Sequence, residues 1–121
     1  MIETLEPKIE IRFHLTEAGG NPVRAWIKEL PRSDRRIIGE DLKTVQFGWP
    51  LGMPLVRKMQ RDLWEVRIDL ERQIARIFFT VIGRQMILLH GFIKKSIATP
   101  KDDLNVARMR LALVRQQGHR R

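Results

Sequence analysis

The 121-residue sequence contains no cysteine and no tyrosine. The first absence excludes disulfides, thiol nucleophiles and thiolate metal sites; the second leaves no phenolic hydroxyl to act as acid or base. His14, His90 and His119 lie far apart and match no metal-ligand spacing, so neither a metal site nor another cofactor is expected. No stretch approaches the roughly 18 to 20 continuous apolar residues that a membrane span requires. The opening MIETLEPKIEIRF is too acidic, and its apolar runs too short, for a secretory signal. These absences predict a soluble, cytoplasmic protein without a membrane partner. The length predicts one domain over residues 1–121.

What is present is charge, unevenly placed. The net charge is +9; residues 1–54 hold eight basic and eight acidic side chains, residues 55–121 fifteen and six. An excess confined to one half favours a polyanion, above all a phosphate backbone. The alternative is a solvated basic surface that only aids solubility.

Hydropathy patterning gives the elements. KIEIRFHL (residues 8–15) sets Ile9, Ile11, Phe13 and Leu15 against Lys8, Glu10, Arg12 and His14, the period of a half-buried strand. Asn21 and Pro22 provide an N-cap and a first-turn proline for a helix with Val23, Trp26, Ile27 and Leu30 on one stripe. Ser33 is the expected cap of a second helix with Ile37, Ile38, Leu42, Val45 and Gln46 inward, ended by Gly48. GWPLGMP is a loop. LVRKMQ begins a region of strands: LWEVRID with Trp64, Val66 and Ile68 as core, IARIFFTVI, a Gly83-Arg84 turn, and QMILLHGF, apolar on both faces. A last helix begins with Thr99 as cap and Pro100 in the first turn, carries Asp102 and Asp103 at its positive end, stops at Gly118 and leaves a frayed basic tail from about residue 117. This order predicts an α+β fold: a twisted antiparallel sheet of about four strands with an N-terminal helical hairpin and a C-terminal helix. The helices pack on one sheet face and leave the other open.

If the turn after LWEVRID occupies residues 70–73, Arg67 and Arg76 stand opposite one another on the face away from Val66 and Ile68. Like charges so placed destabilise a sheet unless acidic neighbours or a bound anion compensate. Glu65 and Asp69 supply the first answer, an exposed charge ladder; a phosphate held by two guanidinium forks is the second. Lys94 and Lys95, in the loop that leaves the third central strand, can reach the same face, with Arg57, Lys58 and Arg61 beside them as nucleic-acid-binding residues. A two-residue Gly83-Arg84 turn puts His90 on the opposite face from Arg76, as a core or hinge histidine.

The succession GWPLGMPLVRKM, DLWEVRID, ARIFF, MILLHGFIKKSIATP and KDDLNVARMR resembles the phage-derived Gp49-like group of HigB toxins within the RelE/ParE superfamily, over roughly residues 8–115. The resemblance implies a type II toxin with a RelE-like fold. Such a toxin cleaves messenger RNA on the ribosome and is neutralised by a cognate HigA-like antitoxin with a helix-turn-helix domain. It also implies that the catalytic cations fall on Arg67, Arg76, Lys94 and Lys95. Attack by a 2′-hydroxyl needs a proton acceptor, cations for the charge that builds on phosphorus, and a donor for the leaving oxygen. Arginine and lysine supply the cations, and a lysine whose pKa is lowered by clustered cations supplies the acceptor. Many relatives place a tyrosine or histidine near the end of the chain as acid or base. With no tyrosine here, that role falls to His90, to a lysine, or to no residue.

Two functions follow: a metal-independent endoribonuclease, or a non-catalytic toxin that binds nucleic acid or poisons DNA gyrase as ParE-like proteins do. The first requires the arginines and lysines to converge on one face; the second tolerates loss of either arginine while total charge is kept.

Overall fold

The computed structural model describes residues 5–95, 97 and 100–119. The elements run β1 (Glu10–Phe13), α1 (Pro22–Glu29), α2 (Arg32–Gly48), β2 (Val56–Gln60), β3 (Leu63–Asp69), β4 (Ile74–Ile82), β5 (Gln85–Ile93) and α3 (Lys101–His119). The sheet has five strands in the order β1-β5-β4-β3-β2. The expected count of about four is short by one because VRKMQ forms a full edge strand, joined to β3 by a tight turn in which Asp62 takes φ 61°. The other pairings are antiparallel, but β1 lies parallel to β5 at the opposite edge.

Local chemistry explains most boundaries. Asn21 accepts the Arg24 amide at 3.2 Å and Pro22 opens α1, since proline's fixed φ and missing N–H suit a first turn. Ser33 is not the cap of α2. Pro31 occupies that position without a side-chain bond, and its carbonyl takes the Arg35 amide at 3.0 Å. The Thr99 cap expected for α3 lies outside the described residues. Gly118 does not stop α3, which remains helical to His119. The alternation expected through residue 15 also fails at its end: His14 is buried and Leu15 exposed, because β1 pairs with β5 only from Glu10 to Phe13.

The expectation of helices on one face and an open second face is overturned. Two apolar layers sandwich the sheet. On one side α1 and α2 cover Val66, Ile68, Ala75, Ile77, Phe79, Met86 and Leu88 with Val23, Ile38, Leu42 and Val45. The helices are joined by two residues, yet α1 packs mainly on β5 and α2 on β3. Gly91 permits this contact: a Cβ there would lie 2.5 Å from the Trp26 ring. On the other side α3 presents Ala107, Leu111 and Val114, at helical spacing, to Leu63, Phe78, Ile87, Leu89 and Phe92. Each buried aliphatic or aromatic side chain contributes about 1.5 to 3 kcal/mol, enough for α3 to close over the half of the face it meets. Adjacent Phe78 and Phe79 enter opposite layers, as strand alternation requires. Among the described residues no helix is long and apolar enough to cross a membrane.

Candidate nucleic-acid interface

The part of the second face left by α3 carries the charged residues. Leu70 donates its amide to the Gln73 carbonyl at 2.9 Å, closing a four-residue turn. The β3–β4 register then sets Arg67 against Arg76 and Glu65 against Phe78, while Arg57 of β2 pairs with Glu65. Arg76 pairs with Phe92 of β5, and Lys94 donates its amide to the Ile74 carbonyl at 2.8 Å. Lys94 is therefore two residues beyond Phe92 and on the same face. Arg57, Arg67, Arg76 and Lys94 converge around Glu65.

Glu65 is the residue of this area whose burial the sequence reading did not reveal. It belongs to no surface ladder: Glu65 is 2% exposed and Arg76 4%, with Arg76 Nη1 3.5 Å from Glu65 Oε2. The signal available was its apolar neighbours, Trp64 and Val66 on its own strand and Phe78 opposite on β4. Burial pushes the Glu65 carboxyl above its usual range, and Arg76, Arg57, Lys94 and Arg67 oppose that rise. Glu65 Oε2, Arg76 Nε and Arg76 Nη1 are buried without a hydrogen-bond partner. Unsatisfied buried charge of this kind is costly, so the pair is held by the fold around it rather than by its own bonds. Asp69 does not neutralise Arg67: the two are exposed and 4.0 Å apart, a contact worth well under about 1 kcal/mol. The face keeps a positive excess.

Lys94 feels that excess. Arg76 first, then partial desolvation, Arg67 and Arg57, hold its ammonium below the ordinary lysine range, with Glu65 working in the other direction. Its proton is loosened where the cations meet.

Of the other expected site residues, Lys58 and Arg61 lie apart from this cluster. Lys95 is exposed in the loop beyond β5. Lys58 pairs with Trp64, which packs in the α1/α2 layer, and so points away from Arg57 at the sheet edge. Arg61 is in the β2–β3 turn, four residues beyond Arg57, beside Asp62 at 4.0 Å. His90 is on the Arg76 face despite the two-residue turn, because β5 carries an extra residue: Phe79 pairs with Leu88 but Phe78 with His90, leaving Leu89 between. A β-bulge reverses the expected side. His90 Nε2 lies 2.7 Å from Asp103 Oδ1 and Nδ1 3.5 Å from Arg110 Nη1, with the ring stacked on Phe92. Arginine can only donate, so Nδ1 accepts and Nε2–H donates to Asp103. Both nitrogens are engaged in holding α3, and Arg110 also donates to the Leu89 carbonyl at 2.8 Å.

With this geometry in place, the comparisons bear on it. Residues 25–112 match the family described as Phage derived protein Gp49-like (DUF891). The chain belongs to the Gp49-like family. No match is found among curated proteins. The Gp49-like family is toxin-like and related to the RelE-like toxins, which are endoribonucleases; a toxin-like family also suggests an antitoxin partner. The matched segment contains the whole cation cluster, from Arg57 to Lys94, together with Asp103 and Arg110 of α3.

Proposed function

We propose that this Gp49-like protein is the HigB-like toxin of a type II toxin–antitoxin pair, a ribosome-dependent, metal-independent endoribonuclease acting on messenger RNA. The observation that supports it is the convergence of Arg57, Arg67 and Lys94, with the buried Arg76 between them, around a single buried carboxylate. In this reading the scissile phosphate rests on the exposed Arg67 and over the buried Arg76, whose guanidinium groups match the charge that builds on phosphorus. Glu65, 3.5 Å from Arg76, is its buried counter-ion. Lys94, with its proton loosened by the same arginines, takes the proton of the neighbouring 2′-hydroxyl. The 2′-oxygen bonds to phosphorus, the bond to the 5′-oxygen breaks, and that oxygen leaves with a proton from water as a 5′-hydroxyl. His90 is a pin for α3 in this scheme. Lys95, Lys58 and Arg61 add long-range attraction to the ribosome and the message. The partner is a HigA-like helix-turn-helix antitoxin, for which the basic second half favours an acidic contact surface.

The test is primer extension on messenger RNA after brief expression, with an Arg67→Ala variant beside wild type and a parallel reaction on RNA without ribosomes. Arg67 is exposed, so its loss leaves the fold intact. Cuts should appear only during translation and fall about 100-fold or more in the variant, the scale of losing one transition-state donor. Growth arrest without cuts refutes the nuclease and moves the protein to the binding toxins, gyrase poisons among them.

A further inference from the structure

A groove opens beside Arg67 that the cleavage reading leaves unused. Ile37 and Asp41 from α2, Pro54 and Leu55 from the segment before β2, and Arg67 and Asp69 from the end of β3 line it. The Arg67 amide donates to the Leu55 carbonyl at 2.9 Å, so the wall and the arginine are fixed to one another. The groove holds about 560 Å³, within the size range of small-molecule sites. Its walls are apolar at Ile37, Pro54 and Leu55, and its polar groups, Arg67 apart, are carboxylates. Among the described residues no side chain donates to Asp41, whose carboxyl is pushed up by burial and then by Asp69 and Glu40.

This chemistry selects an occupant. A flat apolar body with N–H donors along one edge satisfies both the walls and the acceptors, and Arg67 ties the groove to the phosphate beside it. We propose that the groove is a nucleobase site that reads the amino-imino edge of guanine, with Asp41 as the specificity-determining residue, for the nucleotide whose phosphate the arginines hold. Guanine offers N1–H and N2–H side by side, the match for two oxygens of one carboxylate; uracil offers a single N–H flanked by carbonyls that a carboxylate repels. The arrival of donors stabilises the ionised Asp41 that burial disfavours. The inference rests on the phosphate-clamp reading of Arg67 and Arg76, and continuity with that clamp separates it from a mere acidic surface.

Titration calorimetry with guanosine 5′-monophosphate and uridine 5′-monophosphate tests it on the whole protein. Both carry the phosphate; only the base differs. Wild type should bind the guanine nucleotide about 5- to 150-fold more tightly, the range that one good bidentate base contact provides. Asp41→Asn should bring that ratio close to one while leaving the affinity for the uridine nucleotide unchanged. Arg67→Ala should weaken both nucleotides alike. Equal affinities in wild type, or a ratio that survives Asp41→Asn, overturn the base site and leave the clamp standing. No measurable binding of either nucleotide overturns both. Mapped cleavage sites give a second readout: wild type should favour guanine at one fixed position, and the Asp41→Asn variant should lose that preference; a preference that survives the substitution overturns the base site.

Discussion

Removing the Glu65 carboxylate should destabilise the protein far more than removing any exposed charge. Glu65→Ala leaves the Arg76 guanidinium buried, 4% exposed, facing Arg67 across the strands and with Arg57 and Lys94 beside it. Loss of one partner from a buried pair costs about 3 to 5 kcal/mol, because the survivor keeps its desolvation penalty without its counter-ion. The pair's own attraction is modest at 3.5 Å with three unsatisfied atoms, so nearly all of that loss comes from the stranded charge. The double variant Glu65→Leu, Arg76→Met removes both charges, fills similar volume and should recover most of the stability. Urea unfolding followed by fluorescence of the three tryptophans reads the difference. With a slope of about 2 kcal/mol per molar urea for a chain of this size, the single variant should lose roughly 2 M in its midpoint, whereas the double variant should lose less than about 0.5 M. A single variant within about 1 kcal/mol of wild type, or a double variant no better than the single, would refute the stranded-charge argument. The double variant should be folded and unable to cut RNA, which separates the site's chemistry from its structural cost.

The Lys94 proton offers a prediction in pH. Its folded pKa lies below the ordinary 10.5, so the neutral form should grow as pH rises toward that lowered value, and cleavage should rise with it before levelling. By linkage the unfolded chain binds this proton more tightly, so the site's contribution to stability should fall as pH drops from 10.5 through the folded value. In Arg76→Gln the largest cause is gone, and the Lys94 titration followed by NMR of its side chain should move to higher pH; an unmoved midpoint would show that Arg76 does not set it. A second prediction concerns Gly91→Ala. The added Cβ would meet Trp26 ring atoms at 2.5 Å, and thermal unfolding should show a loss of about 1 to 3 kcal/mol, the usual cost of overpacking. Trp26→Leu in the same chain should recover part of it, and a neutral Gly91→Ala would mean that α1 shifts freely on the sheet.

The parts of this site that were legible in the sequence are those set by neighbours in the chain. Arg67 opposes Arg76 because a four-residue turn closes a local hairpin, and Asn21-Pro22 starts α1 with its own side chain and ring. What escaped depends on contacts between distant segments. The covering of the second face by α3 was foreshadowed by β5, whose apolar residues on both faces need two layers, and by the 104, 107, 111, 114 spacing of α3. No local signal joins those two facts. The burial of Glu65 follows from the same cover and from the edge strand β2 completing the sheet beside it. The side taken by His90 escaped because it turns on one residue of register, which hydropathy cannot resolve where both faces of a strand are apolar.

That one residue reaches further than His90. The Gly83-Arg84 turn sets the parity of β5 from Gln85 to Leu88, and Leu89 then inverts it for everything that follows. With an unbroken ladder Arg76 would oppose Gly91, and Lys94 would emerge among Trp26 and the α1 layer, on the far side of the sheet from every arginine it now meets. The bulge therefore acts as a switch of sides for the last four residues of the strand. Two halves of one β5 serve opposite masters: the first is phased for packing, the second for charge, and the catalytic lysine of the proposed mechanism owes its address to a single uncounted leucine.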